Sequence, residues 1–263
     1  MDRQRLILVT NDDGVEAQGI AALVDVARKF GRVVVVAPKT PQSGMSQAIT
    51  SATPLFFESI RKEEGIEIYS LSGTPVDCVK FATDHLLINE RVDLVLSGIN
   101  HGTNAGPNVL YSGTMGAAIE GHFYAPSIGF SLDNHSHDAD FSTSKIYVEK
   151  IIARVLQSPL PEPLCLNVNI PDLPANLIKG IKIVRQNRGY WKEEFFERKD
   201  PRGREYYWLT GRFINTEQES SQIKEESLYS DIAAMEGGYV AIVPVKVDMT
   251  NYEQIAPLAQ IFE

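Results

Sequence analysis

The sequence is poor in cysteine and has an excess of negative charge. Its 263 residues include two cysteines, Cys78 and Cys165, which show no CxxC or Cys/His spacing. This argues against a zinc site and a secreted disulfide framework, and predicts reduced thiols in a hydrophobic core. The formal net charge of -9 disfavours general nucleic-acid binding, so we expect no nucleic-acid partner. An anionic ligand would have to be held by local features.

No hydrophobic run suits a membrane span or a signal peptide. The apolar stretch near the N-terminus covers only residues 6–9, too short for a signal sequence, so we expect a cytoplasmic protein. Residues 94–119 contain no Asp, Glu, Lys or Arg, and their number would suit a span. Their glycine, asparagine, serine and threonine residues would be costly in hydrocarbon. We therefore expect no membrane partner, and the uncharged stretch needs another explanation.

Hydrophobic patterns predict alternating strands and helices. Residues 6–10 and 32–38 are typical of strands, and apolar residues recur at helical spacing over 20–30 between them. Further strands are expected at 93–96, 127–130 and 165–170, and further helices at about 76–88, 114–124 and 142–157. Near-continuous apolar strands are typical of a parallel sheet with helices on both faces. The sequence therefore predicts an α/β fold with a doubly wound sheet.

The pattern changes after about residue 185. Residues 185–213 alternate aromatic and charged side chains around the Asp-Pro-Arg-Gly turn at 200–203, which predicts a β-hairpin. A solvated or subunit-contacting hairpin is the favoured interpretation, and direct phosphate contact is the alternative. A returning strand is expected at 239–245, and a packing or interface segment at 250–263. Without a linker, residues 1–263 form one predicted domain, with a core over about 1–185 and an arm, strand and tail over about 186–263.

Three loops that follow predicted strands carry the candidate chemistry, because ligands bind beyond the carboxyl ends of parallel strands. The first contains adjacent carboxylates, Asp12 and Asp13, which repel each other unless a cation or protons compensate them. A simple turn with a helix cap is the alternative interpretation. The second contains Ser43 and Gly44, a weak signal on its own. The third, residues 97–118, has five glycines and many neutral donors, but neither a Walker A lysine nor GxGxxG spacing.

Together these loops predict a metal site beside a phosphate site. The candidate metal ligands are all hard oxygen donors: Asp12, Asp13, Ser43 and Asn100. Such a set suits Mg²⁺ or Mn²⁺ with open positions for water and substrate, whereas His and Cys ligands would indicate zinc. The candidate phosphate-binding residues are small or neutral: Gly44, Asn104, Ser112, Gly113 and Thr114. Phosphate-ester chemistry is the best joint interpretation of the two sets.

These motifs resemble the SurE nucleotidases, also called survival protein E or stationary-phase survival proteins. The resemblance rests on residues 8–14, 37–44, 72–75, 97–104, 111–121 and 230–244, which run through most of the chain. It implies a 5′/3′-nucleotidase with a Rossmann-like core, metal ligands at Asp12, Asp13, Ser43 and Asn100, and a C-terminal arm that can exchange between subunits of a homodimer or homotetramer. One departure, Val-Ala-Ile-Val-Pro at 240–244 in place of Val-Ser-Ile-Thr-Pro, affects no candidate side chain.

The expected reaction is hydrolysis of nucleoside 5′- and 3′-monophosphates to nucleoside and inorganic phosphate, with short polyphosphate as a further candidate substrate. One Mg²⁺ or Mn²⁺ per subunit would activate the attacking water, and Asp12 or Asp13 would orient it or accept its proton. His101 is a candidate proton donor to the leaving group, against the simpler interpretation of a histidine at the rim. Tyr111 is a weaker candidate for stacking on a base. The competing functions are a non-catalytic nucleotide-binding or regulatory module and a metal-dependent glycosyltransferase.

Overall fold

A nine-stranded, mostly parallel sheet forms the centre of the computed structural model, which describes residues 3–158, 164–217 and 229–262. The strand order is β3-β4-β2-β1-β5-β6-β7-β11-β8. Strands β3 and β11 run antiparallel to their neighbours β4 and β7, and the other pairs are parallel. The sheet strands are β1 (Leu6–Thr10), β2 (Arg32–Pro38), β3 (Phe57–Glu63), β4 (Ile66–Leu71), β5 (Leu94–His101), β6 (Ser127–Leu132), β7 (Cys165–Ile170), β8 (Ile181–Ile183) and β11 (Val240–Pro244).

Helices cover both faces of this sheet and bury the strands from two sides. They are α1 (Gln18–Ala27), α2 (Pro75–Phe81) with a π-helical turn (Ala82–Leu86), α3 (Gly113–Gly121), α4 (Ser142–Gln157), α5 (Asp231–Glu236) and α6 (Tyr252–Phe262), with a 3-10 turn (Gly106–Leu110) before α3. Helices α1 and α4 pack into one hydrophobic core on one face of the sheet. Helices α2 and α3 pack into separate cores on the other face. Every residue of β1 is buried, which explains its unbroken apolar sequence. The predicted Rossmann-like, doubly wound α/β fold is confirmed.

The two cysteines are free and buried, as the sequence predicts. Burial raises the pKa of both thiols, that of Cys165 to about 11. Neither thiol is therefore ionised near neutral pH.

The β3–β4 hairpin was not predicted. All residues of β3 are exposed, and the strand carries charged side chains at Glu58, Arg61, Lys62 and Glu63. A strand at the edge of a sheet lacks the alternating apolar face on which sequence recognition depends, and its charges protect the edge from further pairing. The sequence of β3 therefore carries no strand signal, whereas the inner strand β4 has apolar residues at Ile66 and Ile68 that were overlooked.

A second, two-stranded sheet forms the predicted hairpin arm. Strands β9 (Gly189–Lys199) and β10 (Glu205–Asn215) pair antiparallel over their whole length around the turn at 200–203. The predicted returning strand is β11, which lies antiparallel to β7. The tail contains α6, none of whose residues is buried; at its start Tyr252 hydrogen-bonds Asp248, and the ammonium of Lys246 lies 4.7 Å from the centre of the Tyr252 ring. Among the described residues, no helix is both long enough and apolar enough to cross a membrane.

Candidate active site

Three loops converge on Asp12 at the carboxyl edge of the sheet. The backbone carbonyl of Asp12 accepts a hydrogen bond from the Gln42 amide at 2.7 Å, which joins the loops after β1 and β2. Its Oδ1 accepts one from the Thr114 hydroxyl at 2.5 Å. A Cβ at position 113 would lie 2.8 Å from the Cβ of Asp12, so only glycine lets the start of α3 approach this closely. The three sequence-predicted loops therefore form one site.

Helix α3 begins at the site because Ser112 caps it. The Ser112 hydroxyl accepts a hydrogen bond from the Met115 amide at 3.0 Å, which satisfies one of the free N–H groups of the first turn. A Cβ at position 116 would lie 2.0 Å from the carbonyl oxygen of Ser46, so this glycine lets the Ser43–Gly44 loop lie against the helix. The positive end of the helix dipole therefore lies beside Asp12, where it favours an anion.

A cleft of about 670 Å³ opens at this point. Six of its lining residues belong to the predicted set: Asp12, Ser43, Gly44, Asn100, Asn104 and Ser112. Six other residues of the lining were not predicted from the sequence: Asn108, His135, Trp191, Leu209, Thr210 and Gly211. No Lys or Arg is among the described residues that line it. Negative charge of a ligand in this cleft must therefore be balanced by dipoles or by a bound cation.

Asp13 lies beside the cleft and is held by His101. Its Oδ2 accepts a hydrogen bond from the His101 amide at 3.2 Å and lies 3.2 Å from Nδ1 of the imidazole. The edge of the Phe141 ring packs against the imidazole, with 5.1 Å between ring centres. The Nε2 atom is buried and has no hydrogen-bond partner in the described part of the chain. His101 therefore has a carboxylate partner that the sequence analysis could not assign.

The electrostatics of Asp12 favour a cation. The residue is 3% exposed, and burial raises the pKa of its carboxyl from 3.8 to about 6. The neighbouring charge of Asp13 raises the pKa further, and the Thr114 hydrogen bond opposes both effects. A divalent ion would stabilise the ionised form of both carboxylates at once.

The predicted ligands fit such an ion chemically. The Asn100 side-chain amide donates to the Gly102 carbonyl at 2.7 Å, which orients the amide and leaves its oxygen free to act as an acceptor. The described residues contain no group of three His, Cys, Asp or Glu side chains suited to a metal, so neutral oxygens must complete any ligand set here. Two carboxylates, a hydroxyl and an amide oxygen are typical partners of Mg²⁺ or Mn²⁺.

Two predicted phosphate contacts acquire other partners in the structure. The Thr114 side chain is fully buried and donates its hydroxyl to Asp12, so we revise its predicted contact with phosphate to a role in holding the carboxylate. The Asn104 amide nitrogen donates to the Ser131 hydroxyl at 2.8 Å, although Asn104 also lines the cleft. Gly113 contributes its close approach to Asp12.

A buried polar network beneath the cleft was also missed. Asn169 accepts hydrogen bonds through Oδ1 from the Asn104 amide at 2.8 Å and from the Thr103 hydroxyl at 2.9 Å. Asn167 donates to the Asn104 carbonyl at 2.9 Å. These asparagines lie in β7, all of whose residues are buried, and they fix the loop after β5. Polar residues within an otherwise apolar strand were the available sequence signal.

The fold and the site define a class of protein: a doubly wound α/β protein with an oxygen-rich, anion-compatible cleft at the carboxyl edge of its sheet. The family model for survival protein SurE matches residues 7–193, and the chain belongs to the SurE family. It is 48% identical to the 5′-nucleotidase SurE of Christiangramia forsetii over 98% of this chain and 96% of that protein. The 5′-nucleotidase SurE of Phocaeicola vulgatus is also 48% identical, over 94% and 93%. The crystal structure of the SurE protein from Aquifex aeolicus superposes with a TM-score of 0.80 at 36% identity, covering 98% of this chain and 100% of that one.

Replacing Asp12 by Asn should stabilise the metal-free protein at neutral pH. A rise in pKa from 3.8 to about 6 corresponds to about 3 kcal/mol of unfolding free energy. Because the folded-state pKa is the higher one, this stability is present below about pH 4, is lost as the pH rises through about 6, and is not recovered above it. We therefore expect Asp12→Asn to be more stable by about 2–3 kcal/mol near pH 7.5 in chelator, with the difference vanishing near pH 4. Urea unfolding across this pH range measures it.

Glu16→Gln is the matched control, because Glu16 is an exposed carboxylate on the same segment. The free energy of unfolding of the Glu16→Gln variant should equal that of the unmodified protein at every pH. An Asp12→Asn variant that is less stable than the unmodified protein, or whose advantage does not depend on pH, would contradict the account of Asp12 as an uncompensated buried anion.

Proposed function

We propose that this protein is a metal-dependent phosphomonoesterase that hydrolyses nucleoside 5′- and 3′-monophosphates to nucleoside and inorganic phosphate. Its relatives named 5′-nucleotidase SurE support the nucleotide substrate. One observation carries the chemistry: the buried carboxylate of Asp12 meets the N-terminus of α3 in a cleft with no Lys or Arg among its described lining, and the carboxylate of Asp13 lies beside that cleft. The proposed cation is Mg²⁺ or Mn²⁺, one per subunit, held by Asp12, Asp13, Ser43 and Asn100. Short polyphosphate is a further proposed substrate.

When bound, a divalent cation neutralises charge on the phosphate and lowers the pKa of the attacking water. Asp12 and Asp13 orient that water, and one of them accepts its proton. The N-terminal end of α3 at Gly113, together with Ser112 and Gly44, stabilises negative charge on the phosphoryl oxygens, while Thr114 holds Asp12. This arrangement performs positioning and charge stabilisation, which is what phosphoryl transfer chiefly requires.

His101 orients Asp13 in this scheme. The imidazole and the backbone amide of His101 both engage Oδ2 of Asp13, which would hold this carboxylate in one orientation toward a bound cation. Partners of this kind fix a ligating carboxylate in one orientation and raise the affinity of the site for its metal.

The central test is phosphate release from adenosine 5′-monophosphate, adenosine 3′-monophosphate and uridine 5′-monophosphate. With Mg²⁺ or Mn²⁺ we expect turnover of the nucleotides, loss of activity in EDTA, and recovery when the metal is restored, because the cation is required for charge neutralisation. Activity that EDTA does not change would contradict the metal mechanism. If no monoester releases phosphate, the non-catalytic binding module becomes the better interpretation.

Asp13→Asn should leave the protein folded and lower kcat by at least about 100-fold, the scale expected when a charge-stabilising or acid-base group is lost. Asp25→Asn is the control. The Asp25 side chain lies on α1, is 60% exposed and, among the described residues, forms an exposed ion pair with Lys145. Steady-state kinetics with adenosine 5′-monophosphate compares the two variants. An Asp13→Asn enzyme with the kcat of the control would place the reaction elsewhere.

We also propose that the chain forms a homodimer or homotetramer through its arm and tail. Helix α6 exposes large apolar side chains at Tyr252, Ile255, Leu258, Ile261 and Phe262, and the outer part of the hairpin exposes Phe195, Phe196, Tyr207 and Trp208. Exposed apolar patches of this kind are typical of subunit contacts. The proposed location of the assembly is the cytoplasm.

Light scattering coupled to size-exclusion chromatography should therefore give the mass of two or four chains. Replacing Ile255 and Leu258 together by Glu should lower that mass, because charge on the exposed apolar face opposes its burial. Gln254→Glu is the control on the same helix and should leave the mass unchanged. A monomer in the unmodified protein would contradict the proposal.

A further inference from the structure

Trp191 is held at the edge of the candidate active site in an unusual environment. It lies near the start of β9, yet its indole N–H donates to Oδ1 of Asn108 at 2.7 Å, across to the turn that precedes α3. Asn108 is itself oriented by donating to the Thr103 carbonyl at 3.2 Å. The ring of Phe213 lies on the paired strand, 6.0 Å away between centres. The indole is thus anchored at its polar edge.

The anchored indole is not buried in a core. It is 38% exposed and lines the same cleft as Asp12 and Ser43. Gly211 is the diagonal neighbour of Trp191 on β10, and its lack of a side chain leaves space beside the ring. Leu209, two residues away along the same face of β10, also lines the cleft. The root of the hairpin therefore gives the cleft an apolar wall that carries an indole ring, and Tyr111 from the turn before α3 is a second aromatic residue of the lining.

The size of the cleft indicates what this wall could bind. A volume of about 670 Å³ lies within the range of sites for whole organic ligands, and a phosphate group would fill little of it. The phosphate-binding elements are the loops around Asp12 and the N-terminus of α3, whereas Trp191 and Leu209 come from the separate hairpin sheet. A ligand that joins a phosphate to a flat aromatic group would use both surfaces.

We propose that the indole of Trp191, oriented by Asn108, stacks on the base of the nucleotide and selects nucleoside monophosphates over phosphate esters that lack a base. This inference rests on the proposed nucleotidase function and names the residue responsible for its substrate class. An aromatic side chain stacks on any nucleobase, so selection concerns the presence of a base rather than its identity. The basic residues of the hairpin have no part in it.

The first test is tryptophan fluorescence, because the chain contains two tryptophans, Trp191 and Trp208. Trp208 is 64% exposed, does not line the cleft, and pairs with Phe196 in β9, so Trp208→Phe leaves Trp191 as the single reporter. Adenosine should quench this reporter saturably, and ribose should not. The converse variant, Trp191→Phe, keeps Trp208 as reporter and should show no saturable quenching. Because adenosine carries no phosphate, this test does not depend on turnover.

The second test compares the KM of adenosine 5′-monophosphate with that of ribose 5-phosphate, which lacks only the base. Trp191→Ala should raise the KM of the nucleotide about 10-fold and change that of ribose 5-phosphate by less than about twofold, as expected for the loss of one stacked base. Trp191→Phe should retain most of the selectivity, and Trp208→Ala should behave as the unmodified enzyme for both substrates.

The outcomes separate the inference from the function on which it rests. Equal changes in both KM values, or no quenching by adenosine in the Trp208→Phe protein, would overturn the stacking role even in an active phosphatase. Absence of phosphate release from either ester, together with saturable quenching by adenosine, would retain the stacking role and contradict the proposed hydrolysis.

Discussion

Burying the Asp12 carboxylate beside that of Asp13 is unfavourable on its own, and the arrangement of the cleft compensates for it. The Thr114 hydroxyl donates to Asp12, Gly113 lets α3 approach it, and the backbone carbonyl of Asp12 accepts from Gln42 in the next loop. The Thr114 hydrogen bond lowers the cost of ionising Asp12 but leaves its pKa raised, because none of these contacts supplies a positive charge. The site is completed, in this account, by a cation and an anionic substrate together. The net charge of -9 is therefore no obstacle to the proposed phosphate binding, since the local environment would determine it.

Hydrogen bonds also join the loop after β5 to the hairpin arm. Asp231 accepts hydrogen bonds from the Gly106 amide at 2.8 Å and from the Asn187 amide at 2.9 Å, and so joins the loop after β5 to the start of the arm. The Trp191–Asn108 hydrogen bond makes a second connection between the same two segments. Because the loop also rests on the asparagines of β7, the segment that carries Asn104 and the aromatic wall are positioned by one continuous network. The hairpin is thus part of the cleft at its root, whatever its outer half contacts.

Much of this could be predicted from the sequence, for physical reasons that also explain the failures. The buried strands have a strong apolar signal, and the rule that ligands bind at the carboxyl edge of parallel strands brought Asp12, Ser43 and Asn100 into one prediction. The β3 edge strand and the His101–Asp13 contact have no local signature. The strand is exposed along its whole length, and the contact joins residues 88 positions apart. Thr114 was predicted to contact phosphate because a hydroxyl at a helix start is compatible with either role. Only the three-dimensional approach of α3 to β1 shows that Asp12 uses this hydroxyl.

The most direct test of the central claim is a crystal structure of the protein grown with Mn²⁺, with the ion located by its anomalous scattering. The account predicts one strong peak per subunit within about 2.0–2.3 Å of carboxylate oxygens of Asp12 and Asp13, with Ser43 and Asn100 completing the protein ligands. Crystals of the Asp12→Asn variant grown under the same conditions should show a much weaker peak. If saturating Mn²⁺ gives no peak at these residues, or gives a peak at other side chains, the result would contradict the claim that Asp12 and Asp13 bind a cation.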